Sequence, residues 1–228
     1  MTPVITLQGF GIFGNFRVNP SERICEDLGA AYPASRARII SHVLTTSADA
    51  VSAIPRLMAE DQSDAWIGLG LAGGRSAAAV ERVAINLADY RIPDQGGRQL
   101  TDAPIAPDGP VAYWTTLPVQ EILAAWRDRD IPGYVSYSAG TFLCNHAFYL
   151  ARHTAAETGR PAYVGFIHIP AMVQQVANPG SNPALPYAVL RDAVSTVLDV
   201  VADAVAHHLT PAPAPDVPET SAPRVPAR

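Results

Sequence analysis

The stretch Tyr134-Val135-Ser136-Tyr137-Ser138-Ala139-Gly140-Thr141-Phe142-Leu143-Cys144-Asn145-His146 decides the fold, because strand, glycine-containing turn and helix start follow one another without a gap. Tyr134 to Tyr137 reads as extended, Thr141 as a helix N-cap, and Phe142 to His153 as a helical run closed near Gly159. Cys144 then lies in the first helical turn. The unpaired N–H groups and positive dipole end of that turn favour a thiolate, so this cysteine is either a nucleophile or a small buried hydrophobe.

Working outward, apolar runs at Val4–Gln8, Arg38–Leu44, Ala65–Gly70, Tyr134–Tyr137 and Ala162–Ile169 alternate with helical patterns at Ser21–Leu28, Ser47–Glu60, Pro118–Arg129 and Phe142–His153. Such alternation implies a single-domain three-layer α/β/α sandwich around a largely parallel twisted sheet. A last helix from Tyr187 to His208 places Leu190, Val194, Val197, Val201 and Val205 at helical spacing, as a core-packing element requires. The α/β domain is expected over residues 1–209. Residues 210–228 hold six prolines and few large apolar groups, the composition of a disordered tail. The Pro-, Gly- and Asp-rich segment from Pro93 to Pro110 is a long loop of the kind that serves a site or an interface.

Composition narrows the function classes. The chain has 228 residues, 48% of them hydrophobic, enough for one α/β core. Cys25 and Cys144 are the only cysteines and build no disulfide framework. No signal peptide is apparent, and no apolar run reaches the roughly 18 residues that span a bilayer, so a cytoplasmic protein without a membrane partner is expected. A net charge of −5 with no basic stripe argues against nucleic acid as a partner. All 16 basic residues are arginine, which excludes Schiff-base chemistry on lysine and a Walker-type phosphate loop.

Two other stretches supply the remaining chemistry of a thiol hydrolase. His168 stands at the end of the strand-like run that closes in Gly165-Phe166-Ile167-His168-Ile169-Pro170, and strand ends are where α/β proteins assemble sites. Glu81 lies in Glu81-Arg82-Val83-Ala84-Ile85-Asn86, whose β-branched residues favour an extended reading over a helical one. His146 and His153, seven residues apart with no third ligand nearby, do not read as a metal site, and no cofactor is implied.

These residues, together with Gly9-Phe10-Gly11-Ile12-Phe13-Gly14, Asn19-Pro20-Ser21, Gly68-Leu69-Gly70-Leu71-Ala72-Gly73-Gly74-Arg75 and Arg91-Ile92-Pro93-Asp94, resemble the pyrrolidone-carboxylate peptidases (pyroglutamyl-peptidase I), cysteine peptidases that remove N-terminal pyroglutamate. The likeness runs from about Val4 to about Val205. It implies hydrolysis of the amide bond after pyroglutamate through a thioester, with Cys144 as nucleophile, His168 as general base and acid, and Glu81 orienting His168. It also implies a pocket in which Phe10, Phe13 and Phe142 sandwich the lactam ring, with Asn19, Thr45, Ile92, Leu143 and the backbone of Leu71 around it and Arg91 near the oxyanion. Peptides with N-terminal pyroglutamate would be the substrates and a homo-oligomer, a tetramer, the assembly. The sequence departs from the usual family residues at Ile12, Leu71 and Leu143, which stand where proline, glutamine and valine are common.

Two readings compete. Gly9-x-Gly11-x-x-Gly14 after a strand fits the turn of an NAD-dependent oxidoreductase. The second strand, however, ends His42-Val43-Leu44-Thr45 without the acid that would hold a ribose, and Asn19-Pro20 interrupts the expected phosphate-binding helix. An amidotransferase-type nucleophile would need a Gly-x-Cys-x-Gly elbow, absent around Cys144. A non-catalytic relative on the same fold is the remaining alternative.

Overall fold

A computed structural model describes residues 2–13, 18–176 and 182–207. The elements in order are β1 (Val4–Phe10), α1 (Pro20–Ala31), β2 (Arg38–Leu44), α2 (Ala48–Val51), α3 (Ile54–Asp61), β3 (Ala65–Leu71), β4 (Ala78–Glu81), β5 (Val83–Ile85), β6 (Ala112–Trp114), α4 (Val119–Asp128), β7 (Gly133–Ser136), α5 (Leu143–Thr158), β8 (Tyr163–Ile169), β9 (Ala171–Met172), β10 (Ala184–Leu185) and α6 (Tyr187–Ala206). Six strands form one sheet in the order β2-β1-β3-β8-β4-β7. The first four are mutually parallel, β4 runs antiparallel to β8, and β7 follows β4 in parallel. The expected α/β sandwich with a largely parallel sheet is therefore what forms. The tail from residue 210 and Gly14 lie outside the described residues.

Strand pleating sorts the side chains between two cores. Ile5, Leu7, Ile67, Leu69, Ala78, Val80, Ile167 and Ile169 point to one face, where α1, α4 and α6 cover them with Ile24, Leu28, Ile122, Trp126, Leu190, Val194 and Val197. Phe10, Trp66, Val164 and Phe166 point to the other, under α2, α3 and α5. By the same alternation, His168 on β8 and Glu81 on β4 face the side that α5 covers. Helix α5 carries Cys144, so the pleat alone brings all three to one side of the sheet.

The helices owe more to packing than to their caps. α6 starts after Pro186 with no side-chain cap, yet Leu190, Val194, Val197, Leu198 and Val201 are all fully buried. At about 1.5–3 kcal/mol each, their burial outweighs a missing cap worth about 1 kcal/mol. Val205, expected in the core, is only partly buried. The helix expected over Ser47–Glu60 is two helices, because Pro55 has no N–H to donate to the carbonyl of Val51. Thr141 is not the N-cap of α5: Phe142 takes that position, and the Thr141 hydroxyl donates to the carbonyl of Asp89. The loop between β5 and β6 is held by Asn86, whose carboxamide accepts from the N–H groups of Ile105 and Ala106 and donates to the carbonyls of Ala106 and Gly109.

Gly9 belongs to β1 and needs its missing side chain for packing. A Cβ there would lie 2.6 Å from the carbonyl oxygen of Ser21 and 2.7 Å from the sulfur of Cys25, both on α1. The strand runs on past it, with the Gly11 N–H still donating to the Leu44 carbonyl of β2 at 2.9 Å. Phe10, the last residue of β1, is 3% exposed and packs in the core on the α5 side. Gly9→Ala should cost about 1–3 kcal/mol of stability, since the clash is with backbone. Calorimetry should register it as a drop of roughly 3–10 °C in Tm; an unchanged Tm would show that Gly9 is not a helix-packing glycine.

Candidate active site

Cys144 is the second residue of α5, half-buried, and its sulfur lies against β3: a Cβ built on Gly70 would come within 2.8 Å of it. Gly70 pairs in register with His168 on β8, so thiol and imidazole meet over adjacent strands. The next residue fixes the helix start. Asn145, fully buried, accepts from the Ile85 N–H at 3.0 Å and donates to the carbonyls of Ile85 and Leu87 at 2.9 and 3.0 Å. The N-cap Phe142 offers no side-chain acceptor, so the N–H groups of the first turn are left facing the region of the thiol with the helix dipole behind them.

His168 is 4% exposed, and its Nδ1 lies 2.7 Å from Oε1 of the fully buried Glu81. With the Nδ1 proton donated to the carboxylate, Nε2 is the nitrogen left for the thiol. Burial disfavours the imidazolium, but the charge and hydrogen bond of Cys144 and the hydrogen bond and charge of Glu81 outweigh it and raise the pKa of His168 to about 9. Burial likewise pushes Glu81 up, while His168, Ser136 and Arg75 beside it more than compensate and hold the carboxyl below the ordinary carboxylate range. Arg75 Nη1 reaches the same Oε1 at 2.7 Å. Of the two arginines able to pair with Glu81, Arg75 does so, whereas Arg82 lies over the ring of Trp114. Sequence reading offered Arg75 or Arg82 as a partner of Glu81 only in a fold-supporting role. The signal available was its place in Gly73-Gly74-Arg75, and nothing local says that this turn folds back onto β4.

Beside these groups Phe13, Asn19, Leu71 and Gly73 line a cavity of about 130 Å³. The volume is far below the roughly 300–1,000 Å³ typical of drug-sized ligands and suits one small ring. The rings of Phe13 and Phe142 are 5.5 Å apart, and Phe142 is met edge-on by the buried Tyr90 at 4.8 Å. The Tyr90 hydroxyl is 2.6 Å from Nδ1 of His146, whose pKa burial lowers to about 4. His146 is thus neutral and hydrogen-bonded to that hydroxyl, and His153 is likewise bound to a tyrosine, Tyr113, at 2.9 Å. The Asn19 side chain caps α1 by accepting from Ser21 N–H and donates to the carbonyl of Gly11, which steadies this wall.

Other expected pocket residues are placed differently. Leu143 is 1% exposed and points into the core under α5, as does Phe10 from β1. Thr45 and Ile92 are exposed. Arg91 is also exposed, and its side chain makes no hydrogen bond or ion pair among the described residues. A somewhat larger hollow of about 170 Å³ lies between the C-terminal ends of α3 and α5, lined by Met58, Ser63, Thr158 and Arg160 among others. Neither hollow is lined by the nucleophile or the base, but the smaller one includes Leu71, next to the Gly70 against which the Cys144 sulfur lies, and that proximity rather than size decides between the two. No group of three or more metal-ligating side chains occurs, and no helix is long and apolar enough to cross a membrane, among the described residues.

Comparison with known proteins identifies the family. The family model for pyroglutamyl peptidase matches residues 4–204. A pyrrolidone-carboxylate peptidase of Pyrococcus furiosus is 37% identical over 201 residues, covering 86% of this chain and 96% of the relative. One of Streptomyces coelicolor is 40% identical over 202 residues, covering 89% and 93%. Among solved structures, pyrrolidone carboxyl peptidase from the hyperthermophile Pyrococcus furiosus superposes with a TM-score of 0.83 at 35% identity, over 89% of this chain and 99% of that one. This chain is a member of the pyroglutamyl peptidase family.

Proposed function

We propose that the chain is a cysteine peptidase that hydrolyses the amide bond after an N-terminal pyroglutamyl residue through a thioester acyl-enzyme. The observation that carries this reading is the alignment of Cys144, His168 and Glu81 over β3, β8 and β4, in a chain of this family. The Cys144 thiolate attacks the carbonyl carbon, and the oxyanion is met by backbone N–H groups at the start of α5. His168, protonated at neutral pH, gives its Nε2 proton to the departing amine as the C–N bond breaks. It then takes a proton from the water that attacks the thioester, and pyroglutamate leaves as the C–S bond breaks and the thiolate is restored. Exposed Arg91 is not needed for any of these steps.

Selectivity follows from what the cavity lacks. No acidic side chain is among Phe13, Asn19, Leu71 and Gly73, so a free α-ammonium finds no partner there, whereas the neutral lactam loses little on leaving water. A glutamyl residue would bring two charges without compensation. We expect the enzyme in the cytoplasm. Assembly into a homo-oligomer would cover exposed apolar side chains such as Val111 and Tyr137.

The direct test is a fluorogenic pyroglutamyl amide assayed beside the matching prolyl and glutamyl amides. Release from the pyroglutamyl compound alone is expected, and equal release from the prolyl compound, or none from any, would overturn the assignment. Iodoacetamide should inactivate the enzyme by alkylating Cys144 and spare Cys25, which is fully buried and whose thiol burial and Glu26 push upward. Peptide mass mapping reads this, and loss of activity with Cys144 unlabelled would refute the nucleophile.

The pH profile carries a sign. Because the His168 proton is required at the leaving amine and is lost near pH 9, kcat/KM should fall above that pH. Glu81→Gln removes a charge that raises this pKa, so its alkaline limb should move to lower pH while kcat drops by about 10²- to 10⁴-fold and KM changes little. A normal kcat with a lowered Tm would make Glu81 a structural residue only.

A further inference from the structure

We propose that Arg75 is a positioning residue for Glu81, clamping the carboxylate between His168 and the loop that delivers Cys144. The inference rests on the catalytic reading above and adds a fourth member to it. Arg75 Nη1 and His168 Nδ1 approach the same carboxylate oxygen, each at 2.7 Å, while the other oxygen, Oε2, is buried without a hydrogen-bond partner among the described residues. A carboxylate held by the imidazole alone can rotate about its terminal torsion, and each rotation alters the direction in which the ring points. The guanidinium removes that freedom, because its fork is planar and its second nitrogen is also engaged: Nη2 donates to the carbonyl of Ser138 at 3.3 Å. Ser138 stands in the loop between β7 and α5, so one rigid group ties the end of β4 to the approach of the nucleophile helix.

The chain spends unusual local structure on this placement. Gly74 has φ of +89°, and the Arg75 N–H closes back on the Ala72 carbonyl at 3.3 Å, which turns the side chain from the end of β3 toward β4. The guanidinium then lies 6.0 Å over the ring of Tyr134 on β7, which limits its sideways movement. Charge balance gives a second reason. Thiolate, imidazolium and carboxylate together carry one net negative charge in a site of little exposure, and Arg75 makes the row neutral with alternating signs. Its own side chain is 26% exposed but Glu81 is fully buried, so removing Arg75 also takes a partner from a buried charge, and the test needs readouts that stability alone would not move.

The test compares Arg75→Gln, Arg75→Lys and Arg75→Ala with the unmodified enzyme on the pyroglutamyl amide. For Arg75→Gln, which keeps a side-chain donor for the buried carboxylate, kcat should fall by about 10- to 100-fold with KM changed less than about threefold and Tm lowered only slightly, the scale of effect that small misplacements of catalytic groups produce. The acid limb of kcat/KM should move to higher pH, because Glu81 has lost a donor to its ionised form. Arg75→Lys keeps the charge but not the fork, and should restore the acid limb while recovering only part of kcat. Millimolar methylguanidinium should raise kcat of Arg75→Ala. Wild-type kcat and an unmoved acid limb in Arg75→Gln would overturn the proposal, as would a loss of kcat that tracks a fallen Tm and no rescue. The pH dependence of Cys144 alkylation by iodoacetamide is measured in the same proteins. If the unmodified enzyme cleaves none of the amides, the substrate assignment fails, and the alkylation profiles still decide Arg75: displaced in Arg75→Gln, they support the clamp; superimposable, they refute it.

Discussion

A carboxylate with no exposed surface is the constraint around which this site is built. Glu81 cannot sit at the end of β4 as an anion unless other groups replace the water it has lost, and His168, Ser136 and Arg75 are the groups that do so. Removing one partner from such a cluster leaves a buried charge uncompensated, so the members depend on one another more than pairwise distances suggest. The imidazolium is stabilised by the same carboxylate from one side and by the thiol from the other. Order therefore passes from the sheet, through Glu81, to the reacting sulfur.

The sheet supplies that order by simple means. Period-two alternation sends the aliphatic residues of β3, β4 and β8 into the core beneath α6 and the intervening residues toward α5. On the α5 side β3 presents glycine at position 70, and only that absence of a side chain lets the Cys144 sulfur come down to the level of His168. The reversal of direction between β8 and β4 then places the Ala79 position opposite His168 and leaves Glu81 two residues on, within reach of the ring.

Much of this was legible in the chain. The continuous apolar runs Ala65–Gly70 and Ala162–Ile169 announce buried parallel strands, and the spacing of Leu190, Val194, Val197 and Val201 announces a helix packed on them, because burial on both faces leaves no polar positions to blur the pattern. Cys144 in a first turn, His168 at a strand end and the acid at Glu81 followed from motifs. Less legible was the assignment of side chains to surfaces. Phe10 and Leu143 occur in motifs beside the site, yet pleat and helix phase send both into the core. Arg75 pairs with Glu81 across a turn whose course is set by tertiary packing, and Asn86 holds the long loop after β5 by four hydrogen bonds that no periodicity encodes. The split at Pro55 was written in the sequence, since proline cannot continue the bonding of the preceding turn.

The cap of α5 shows how local stability yields to chemistry. Helices favour Ser, Thr, Asn or Asp at this position, and an apolar residue there forgoes about 1 kcal/mol. Thr141 is one residue away and could have served, but its hydroxyl is turned to the Asp89 carbonyl and Phe142 stands at the cap. A side-chain oxygen at the cap would bind the N–H groups of the second or third helical residue, the very donors that face the thiol. In the proposed mechanism, leaving them free keeps them for a developing oxyanion, and the lost cap is offset by contacts of the neighbouring residues. Asn145 stitches the same turn to Ile85 and Leu87, while the Phe142 ring packs between Tyr90 and Phe13, the latter a lining residue of the small cavity. In the proposed mechanism, one unfavourable residue choice thus serves both a developing oxyanion and an apolar contact near a neutral ring.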